Sequence, residues 1–341
     1  MMSTRKVTSQ DVARRAGVSQ SAVSRVFTPG ASFSEKTAAK VRKAAGELGY
    51  RPNVLARSLI TGRSRIIGLV VAYLENYFYP EALEKLSNAL QAEGYHVLVF
   101  LVPRTAGAIE DILQEIVDYQ VDGIVLASVA LSSQLATRCR EAGIPVVLFN
   151  RSQDGPRLPT VTSDNFSGGR EIARFLVAGG HRRVGYIAGW EGASTQRDRE
   201  AGFHAGLLEA GLKICAREVG DYQFTRAQEA ARRMFAGTIR PDAVFVANDH
   251  MAFATMDVLR FELGLRVPDD VSVVGFDDVP PAAWPAYDLT TVRQEASAMV
   301  AETVNMLIAN IQNPDTPPRN VCLPARLIPR TSARIPKGRL S

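Results

Sequence analysis

Apolar residues in the first fifty positions recur at helical spacing. Val12, Ala13 and Ala16 fall on one face of a first short helix, Ala22, Val23 and Val26 on one face of a second, and Val41, Ala45 and Leu48 along a third. Capping residues stand ahead of each stripe. Thr8 with Asp11 three residues on has the spacing of a capping box, Ser19 precedes the second helix, and Ser34 precedes the third. Gly17 and Gly49 close the first and third helices, because glycine accepts a left-handed turn, and Pro52 stops any continuation. Two short helices joined by a three- to four-residue turn containing glycine form a helix-turn-helix unit. The second helix then projects Gln20, Ser21, Ser24 and Arg25 outward. Amide and guanidinium groups at those places can read base edges in the DNA major groove. An ordinary helical hairpin is the alternative.

Beyond residue 64 the pattern changes. Short apolar runs at 66–71, 96–102, 123–127 and 146–149 alternate with helical stretches at 80–93, 109–119 and 132–142. It restarts with strands at 184–188, 243–247 and 271–274 and helices at 165–178, 196–210, 226–235 and 251–263. Such alternation predicts βαβ units and parallel sheets, here two doubly wound lobes. A last helix, 296–311, returns to the first lobe, and 324–332 rejoins the second. Gly168 and Gly169 fall inside a predicted helix, where they allow close packing. Gly179-Gly180-His181 reads as a helix stop followed by a structural histidine.

Between headpiece and body lies 50–59, Tyr-Arg-Pro-Asn-Val-Leu-Ala-Arg-Ser-Leu. Asn53 can cap a helix of about two turns, too short to be stable alone in water. Such a linker could fold on DNA with Leu59 as a minor-groove wedge, or could be an inert spacer. The segment by itself does not choose between these.

Charge separates the two parts. Residues 1–65 hold 13 Lys and Arg against 3 Asp and Glu, net +10, whereas the rest of the 341 residues hold 27 against 32, net −5. A basic end on an acidic body suits a polyanion-binding module on a separate domain. No run reaches the roughly 18 apolar residues of a membrane span, and no secretory signal is expected from the first residues. Cys139, Cys215 and Cys322 are far apart and odd in number. They read as reduced core thiols of a cytoplasmic protein. The four histidines, His96, His181, His204 and His250, lack metal-ligand spacing. Neither a nucleophile elbow nor a phosphate loop is present, so no catalytic residues, metal or cofactor are expected.

Ligands of doubly wound sheets sit at the carboxyl ends of strands, and two facing lobes make a cleft. Asn150-Arg151, Gly189-Trp190-Glu191, Asn248-Asp249 and Phe276-Asp277-Asp278 stand at such ends. Arg197 and Arg199 open a helix nearby, and Asn76-Tyr77-Phe78-Tyr79 follows the first strand. Carboxylates and guanidinium groups pair with vicinal hydroxyls and aromatic faces cover a sugar ring. Structural alternatives stay open. Asp277 and Asp278 could cap the next segment, Asn248 could cap a helix, Trp190 and Trp284 could be core, and Arg197 could pair with Asp198 or Glu200.

From residue 7 to about residue 332 the chain resembles the lactose-repressor (LacI/GalR) family of bacterial regulators. The resemblance rests on Asp11-Val12-Ala13, Ala16-Gly17-Val18-Ser19, Val23-Ser24-Arg25, Leu48-Gly49-Tyr50-Arg51-Pro52-Asn53 and Ala56-Arg57-Ser58-Leu59. It implies an all-α helix-turn-helix headpiece on an α/β periplasmic-binding-protein-like body of two doubly wound parallel-sheet lobes. It implies a homodimer on a pseudo-palindromic double-stranded DNA operator. By resemblance, Gln20, Ser21 and Arg25 read bases, and Thr8, Ser19, Ser24, Ser34, Thr37 and Asn53 contact the backbone. Ala56 joins them in the hinge, and Leu59 intercalates. The same resemblance assigns Tyr77, Phe78, Asn150, Arg199, Asn248 and Asp277 to a small effector, a sugar or sugar derivative. Asn150 stands where many members have Asp, and Tyr77 replaces the usual Pro of an Asn-Pro-Phe-Phe motif. Expected domains are 1–52 (headpiece), 53–64 (hinge), 65–162 with 294–321 (first lobe) and 163–293 with 322–341 (second lobe). The expected function is an effector-controlled transcription repressor, associated with the nucleoid in the cytoplasm. A sugar-binding receptor or a carbohydrate enzyme carrying a DNA-binding domain are the alternatives.

Overall fold

The computed structural model describes residues 7–28, 31–51, 63–72, 74–102, 112, 115–116, 118–127, 133–153 (133–135 in backbone only) and 158–336. It divides into two compact units, residues 1–65 and 66–341.

The first unit contains α1 (Ser9–Ala16), α2 (Gln20–Val26) and α3 (Glu35–Leu48). The capping box at its start is complete. The Asp11 amide donates to Thr8 Oγ1 at 3.4 Å and the Thr8 amide donates to Asp11 Oδ2 at 2.9 Å. Ser19 and Ser34 accept from the third amides of their helices, as their placement predicts. Gly17 and Gly49 both take φ 64°, the left-handed closure that a Cβ disfavours. Val12, Val23 and Val41 are fully buried and contribute about 1.5–3 kcal/mol each. Ala13, Val26, Ala38, Ala44 and Ala45 surround them. Leu48, expected in the inner stripe, is only partly buried at the end of α3.

The second unit is built on two parallel sheets, with strands numbered in chain order. The larger has six strands in the order β11-β5-β4-β3-β1-β2. These are β1 (Ile66–Val71), β2 (His96–Leu101), β3 (Gly123–Ala127), β4 (Val146–Phe149), β5 (Thr160–Ser163) and β11 (Asn320–Leu323). The smaller, β7-β6-β8-β9, holds β6 (Val184–Ala188), β7 (Ile214–Val219), β8 (Ala243–Val246) and β9 (Ser272–Val274). β10 (Thr291–Arg293) and β12 (Arg326–Ile328) pair antiparallel as a separate ribbon. Central strands such as β3, β4, β6 and β8 are buried along their whole length, as a sheet covered on both faces requires.

Most helices match their expected places: α4 (Phe78–Ala92), α5 (Ser133–Glu141), α6 (Asn165–Ala178), α7 (Ser194–Leu208), α8 (Phe224–Ala236), α9 (Asp249–Asp257) and α10 (Ala296–Gln312). The predicted helix at 109–119 and the hinge at 53–62 lie largely or wholly outside the described residues. Helix α9 continues as a single wide turn over Val258–Glu262. Among the described residues no helix is long and apolar enough to cross a membrane.

Two features differ from expectation, and one open alternative is closed. Strand β11 pairs with β5 through Leu323↔Ser163, so Cys322 and Leu323 extend the first sheet two residues past the expected lobe boundary. Of the cysteines only Cys139 is buried; Cys215 is intermediate and Cys322 exposed. The latter two lie on β7 and β11, the outer strands of their sheets. Trp190 and Trp284 are exposed, which closes the core alternative left open for them.

Helices α6 and α7 approach closely because small residues face each other. A Cβ on Gly202 would collide with the Phe166 carbonyl, one on Gly169 with the Arg199 carbonyl, and one on Gly206 with Ala173. Gly168 makes room in the same way for the Phe276 ring. This packing sets Arg199 of α7 against Asn165 of α6. His181 is fully buried, with Nδ1 3.2 Å from Asp242 Oδ1, which fits its structural assignment.

Candidate functional site

In the first unit, Gln20, Ser21 and Arg25 are exposed and Ser24 is half-buried, opposite the buried Val23 and Val26. The polar set of α2 therefore forms one outward face. Gln20 Nε2 donates to Ser9 Oγ at 3.0 Å and Ser21 Oγ lies 2.9 Å from Ser19 Oγ. Thr8, Ser19 and Ser34 cap helices, and Thr37 lies 2.8 Å from Ser34. Helix N-termini of this kind present free amides to anions. Asn53, Ala56 and Leu59 are outside the described residues.

In the second unit, side chains from both sheets converge on one cavity. Asn150 and Arg151 follow β4, Asn248 follows β8, Asp277 follows β9, and Arg199 comes from α7. Asn76, Tyr79, Thr195 and Tyr222 complete the lining. The cavity holds about 250 Å³, part of it open to solvent. Across it Asn76 Nδ2 of the first lobe reaches Asp277 Oδ2 of the second at 3.3 Å, so the two lobes touch at the cleft.

Arg199 is 2% exposed and bonded through each of its three nitrogens. Its Nε donates to Asn165 Oδ1 at 2.8 Å, Nη1 to the Ala247 carbonyl at 2.6 Å, and Nη2 to Asp277 Oδ1 at 3.3 Å. Its guanidinium carbon lies 3.7 Å from the centre of the Phe276 ring. Asp277 sits at φ 127°, a strained backbone held by these partners. Burial raises its carboxyl, and Arg199 opposes that shift. Behind it, Asp249 is fully buried and accepts from Thr291 Oγ1 at 2.6 Å and the Val279 amide at 3.0 Å. Burial first, then the Asp277 charge, pushes Asp249 up to about 8.

Asn248 does cap α9, accepting from the Met251 amide at 3.0 Å, yet it also lines the cavity. The capping alternative therefore holds, and it leaves the side chain beside the cavity. Its Nδ2 and the Oδ1 of Asn150 are buried without a hydrogen-bond partner among the described residues. Neither Asp277 nor Asp278 caps the next helical turn. Asp278 instead pairs with Arg293 at 2.6 Å and Arg330 at 2.7 Å. Glu200 pairs with Arg217.

Two expected cavity residues are elsewhere. Tyr77 is 47% exposed, and Phe78 is core, stacked on Phe149 with centroids 6.1 Å apart. As the first residue of α4, Phe78 points into the core under the sheet, while Tyr79 reaches the cavity and meets Asn150 Nδ2 at 3.2 Å. Thr195 and Tyr222 were not anticipated. Tyr222 follows β7, whose Arg217 and Glu218 break the apolar run that marks a strand.

Comparisons with known proteins agree across the chain. Residues 8–53 match the family model described as bacterial regulatory proteins, lacI family. Residues 173–333 match the periplasmic binding protein-like domain. The HTH-type transcriptional regulator CelR of Thermobifida fusca is 33% identical over 337 residues, covering 96% of this chain and 98% of its own. The HTH-type transcriptional repressor PurR of Pectobacterium carotovorum is 32% identical over 308 residues, covering 89% and 90%. Among solved structures, the Lac repressor dimer bound to operator and the anti-inducer ONPF superposes with a TM-score of 0.86 at 30% identity, over 96% of this chain and 99% of that one. A CelR–cellobiose complex gives 0.74 at 31%, over 96% and 100%. These relatives are transcription regulators.

Proposed function

Because the chain belongs to the LacI family of bacterial regulatory proteins, we propose that it is a sequence-specific DNA-binding repressor whose operator affinity is set by a small sugar-type effector held between its two lobes. The observation that carries this reading is the convergence of Arg199, Asp277, Asn248 and Asn150 on one cavity, with an acceptor (Asn150 Oδ1) and a donor (Asn248 Nδ2) buried and unpaired. An unsatisfied buried polar group costs about 1–3 kcal/mol, which a ligand hydroxyl recovers. The relatives support it, since CelR is solved with cellobiose and the Lac repressor as a dimer on its operator.

In this account Gln20, Ser21 and Arg25 read bases while Thr8, Ser19, Ser24, Ser34 and Thr37 hold phosphates. Asn53, Ala56 and Leu59 serve the hinge. Two copies bind a pseudo-palindromic site, and the protein acts in the cytoplasm on the nucleoid without catalysing a reaction. Residues 1–52 act as headpiece and 53–64 as hinge. The first lobe spans 65–163 with 294–323, and the second takes the remainder, both boundaries moved to include all of β5 and β11. An effector must bind the open and closed lobe arrangements unequally to shift DNA affinity. Selection of binding sites from random duplex, followed by thermal-shift screening with cellobiose, ribose, glucose, glucuronate and glucose 6-phosphate, tests both halves. An inverted-repeat consensus and a shift by at least one probe are expected. Random selected sequences would refute the DNA half, and no shift by any probe the effector class.

A further inference from the structure

Asp277 is gripped most closely by a residue outside the cavity lining. Gln294 Nε2 donates to Asp277 Oδ1 at 2.7 Å, against 3.3 Å for each of the bonds from Arg199 and Asn76. Gln294 stands one residue past β10, where the chain crosses from the second lobe back to α10 of the first. Its Oε1 accepts from Ser163 Oγ at 2.8 Å. Ser163 ends β5, where the chain crosses the other way, and the next residue, Asp164, donates its amide to the Leu323 carbonyl at 2.7 Å on the third crossing. The Gln294 amide has one sensible orientation. An ionised carboxylate only accepts, so nitrogen faces Asp277 and oxygen faces the Ser163 hydroxyl.

A second path reaches the same place. Asn165 accepts from Arg199 Nε at 2.8 Å and donates through Nδ2 to the Ser163 carbonyl at 2.9 Å. Both charged partners of the cleft, Arg199 and Asp277, therefore end on Ser163. Ser163, Asn165 and Gln294 are 2%, 3% and 4% exposed. In so dry a setting each bond is strong, and a broken one leaves a group unsatisfied.

We propose that Gln294 is a positioning residue that ties the Asp277 carboxylate to the lobe crossing at Ser163, so that occupation of the cleft is passed to the lobe angle through the Ser163–Gln294 bond. This rests on the proposal that Asp277 holds an effector. The lobes can part only by bending at the crossings. Gln294 is the side chain that joins two of these crossings to the ligand-facing carboxylate. A ligand hydroxyl competing for Asp277 changes the pull on Gln294, and Ser163 receives it.

The test uses the full chain in two arms. Without ligand, hydrogen exchange is compared for wild type, Gln294→Ala and Ser163→Ala. Gln294→Ala is expected to speed exchange at 160–166 and 275–279 as well as around 294, with β6 and β8 unchanged. A change confined to residues adjoining 294 would overturn the relay. With ligand, operator binding is titrated with and without the sugar probes above. Ser163→Ala is expected to cut the effector-induced fold-change in operator affinity at least fivefold while probe affinity moves twofold or less, and Ser163→Thr to restore it. An unaltered fold-change in Ser163→Ala would overturn the proposal. Should no probe bind wild type, the effector class fails, and the exchange arm still decides the relay.

Discussion

Asn76 and Asp277 meet across the cleft. The amide nitrogen of Asn76 donates to Oδ2 of Asp277 at 3.3 Å, and the Asn76 oxygen accepts from the Phe78 amide at 3.1 Å. The second bond fixes which way the amide points. The first lobe thus places a donor of its own on a carboxylate of the second, and a ligand has to part them.

Loss of that bond favours the open form. One hydrogen bond worth about 1 kcal/mol corresponds to about fivefold in an equilibrium. A ligand whose competent state is more populated binds with less conformational cost. Asn76→Ala is expected to raise the association rate of a bound sugar probe by two- to tenfold, read by stopped-flow tryptophan fluorescence. An unchanged or slower rate would mean that closure does not depend on Asn76.

Asp277→Asn keeps the shape of the side chain and removes its charge. Hydrogen bonds to charged groups contribute about 1.5–3 kcal/mol. Calorimetry is expected to show probe affinity falling ten- to hundredfold, while operator affinity without probe stays within twofold. Equal loss of both would show a general folding defect.

Asp249 gives the stability a pH dependence. Its carboxyl sits near 8 when folded, against an ordinary value of 3.8. Between these values the folded state keeps a proton that the unfolded chain releases, so stability declines as pH rises through this window and levels off above it. The charges nearest this group are Asp277, which raises it, and Asp278, which also raises it and is itself paired with Arg293 and Arg330. Asn at 249 can accept from the Val279 amide and donate to Thr291. The melting temperature of Asp249→Asn is therefore expected to gain on wild type from pH 6 to pH 8. Parallel curves would refute the assignment.

Arg25 is exposed on the outward face of α2. A base contact by such a residue is worth about 1–3 kcal/mol of discrimination, whereas phosphate contacts carry none. Arg25→Ala is expected to bind operator and random duplex almost equally, with the weak nonspecific affinity kept. Retained preference in competition titrations would move base reading to other residues.

The parts legible in the sequence share a physical reason. The headpiece is written in local signals, since Thr8, Ser19 and Ser34 cap with their own neighbours and Gly17 and Gly49 need only a backbone angle. Buried central strands such as Gly123–Ala127 read directly as apolar runs. The edge strand β7 did not, although the edge strands β2 and β9 did. Ile214–Val219 carries Arg217 and Glu218 because one side lacks a neighbour, and with it went Tyr222. Gln294 and Asn165 carry no pattern, because their meaning lies in partners 131 and 34 positions away. Asn150, Arg199, Asn248 and Asp277 were reached by strand-end position and by resemblance. Tyr77 and Phe78 were misplaced because the helix begins at Phe78 and turns its ring into the core.

The central claim is that a basic headpiece grips one DNA sequence as a symmetric pair and loosens or tightens when the cleft is filled. Fluorescence anisotropy of a labelled inverted-repeat duplex, selected by the full-length protein, measures this directly, with and without a bound sugar probe and across a salt series. The account predicts binding at least a hundredfold tighter than to random duplex, a steep fall with salt, and at least a tenfold change on adding the probe. Equal affinity for selected and random duplex, unmoved by every probe, would contradict it.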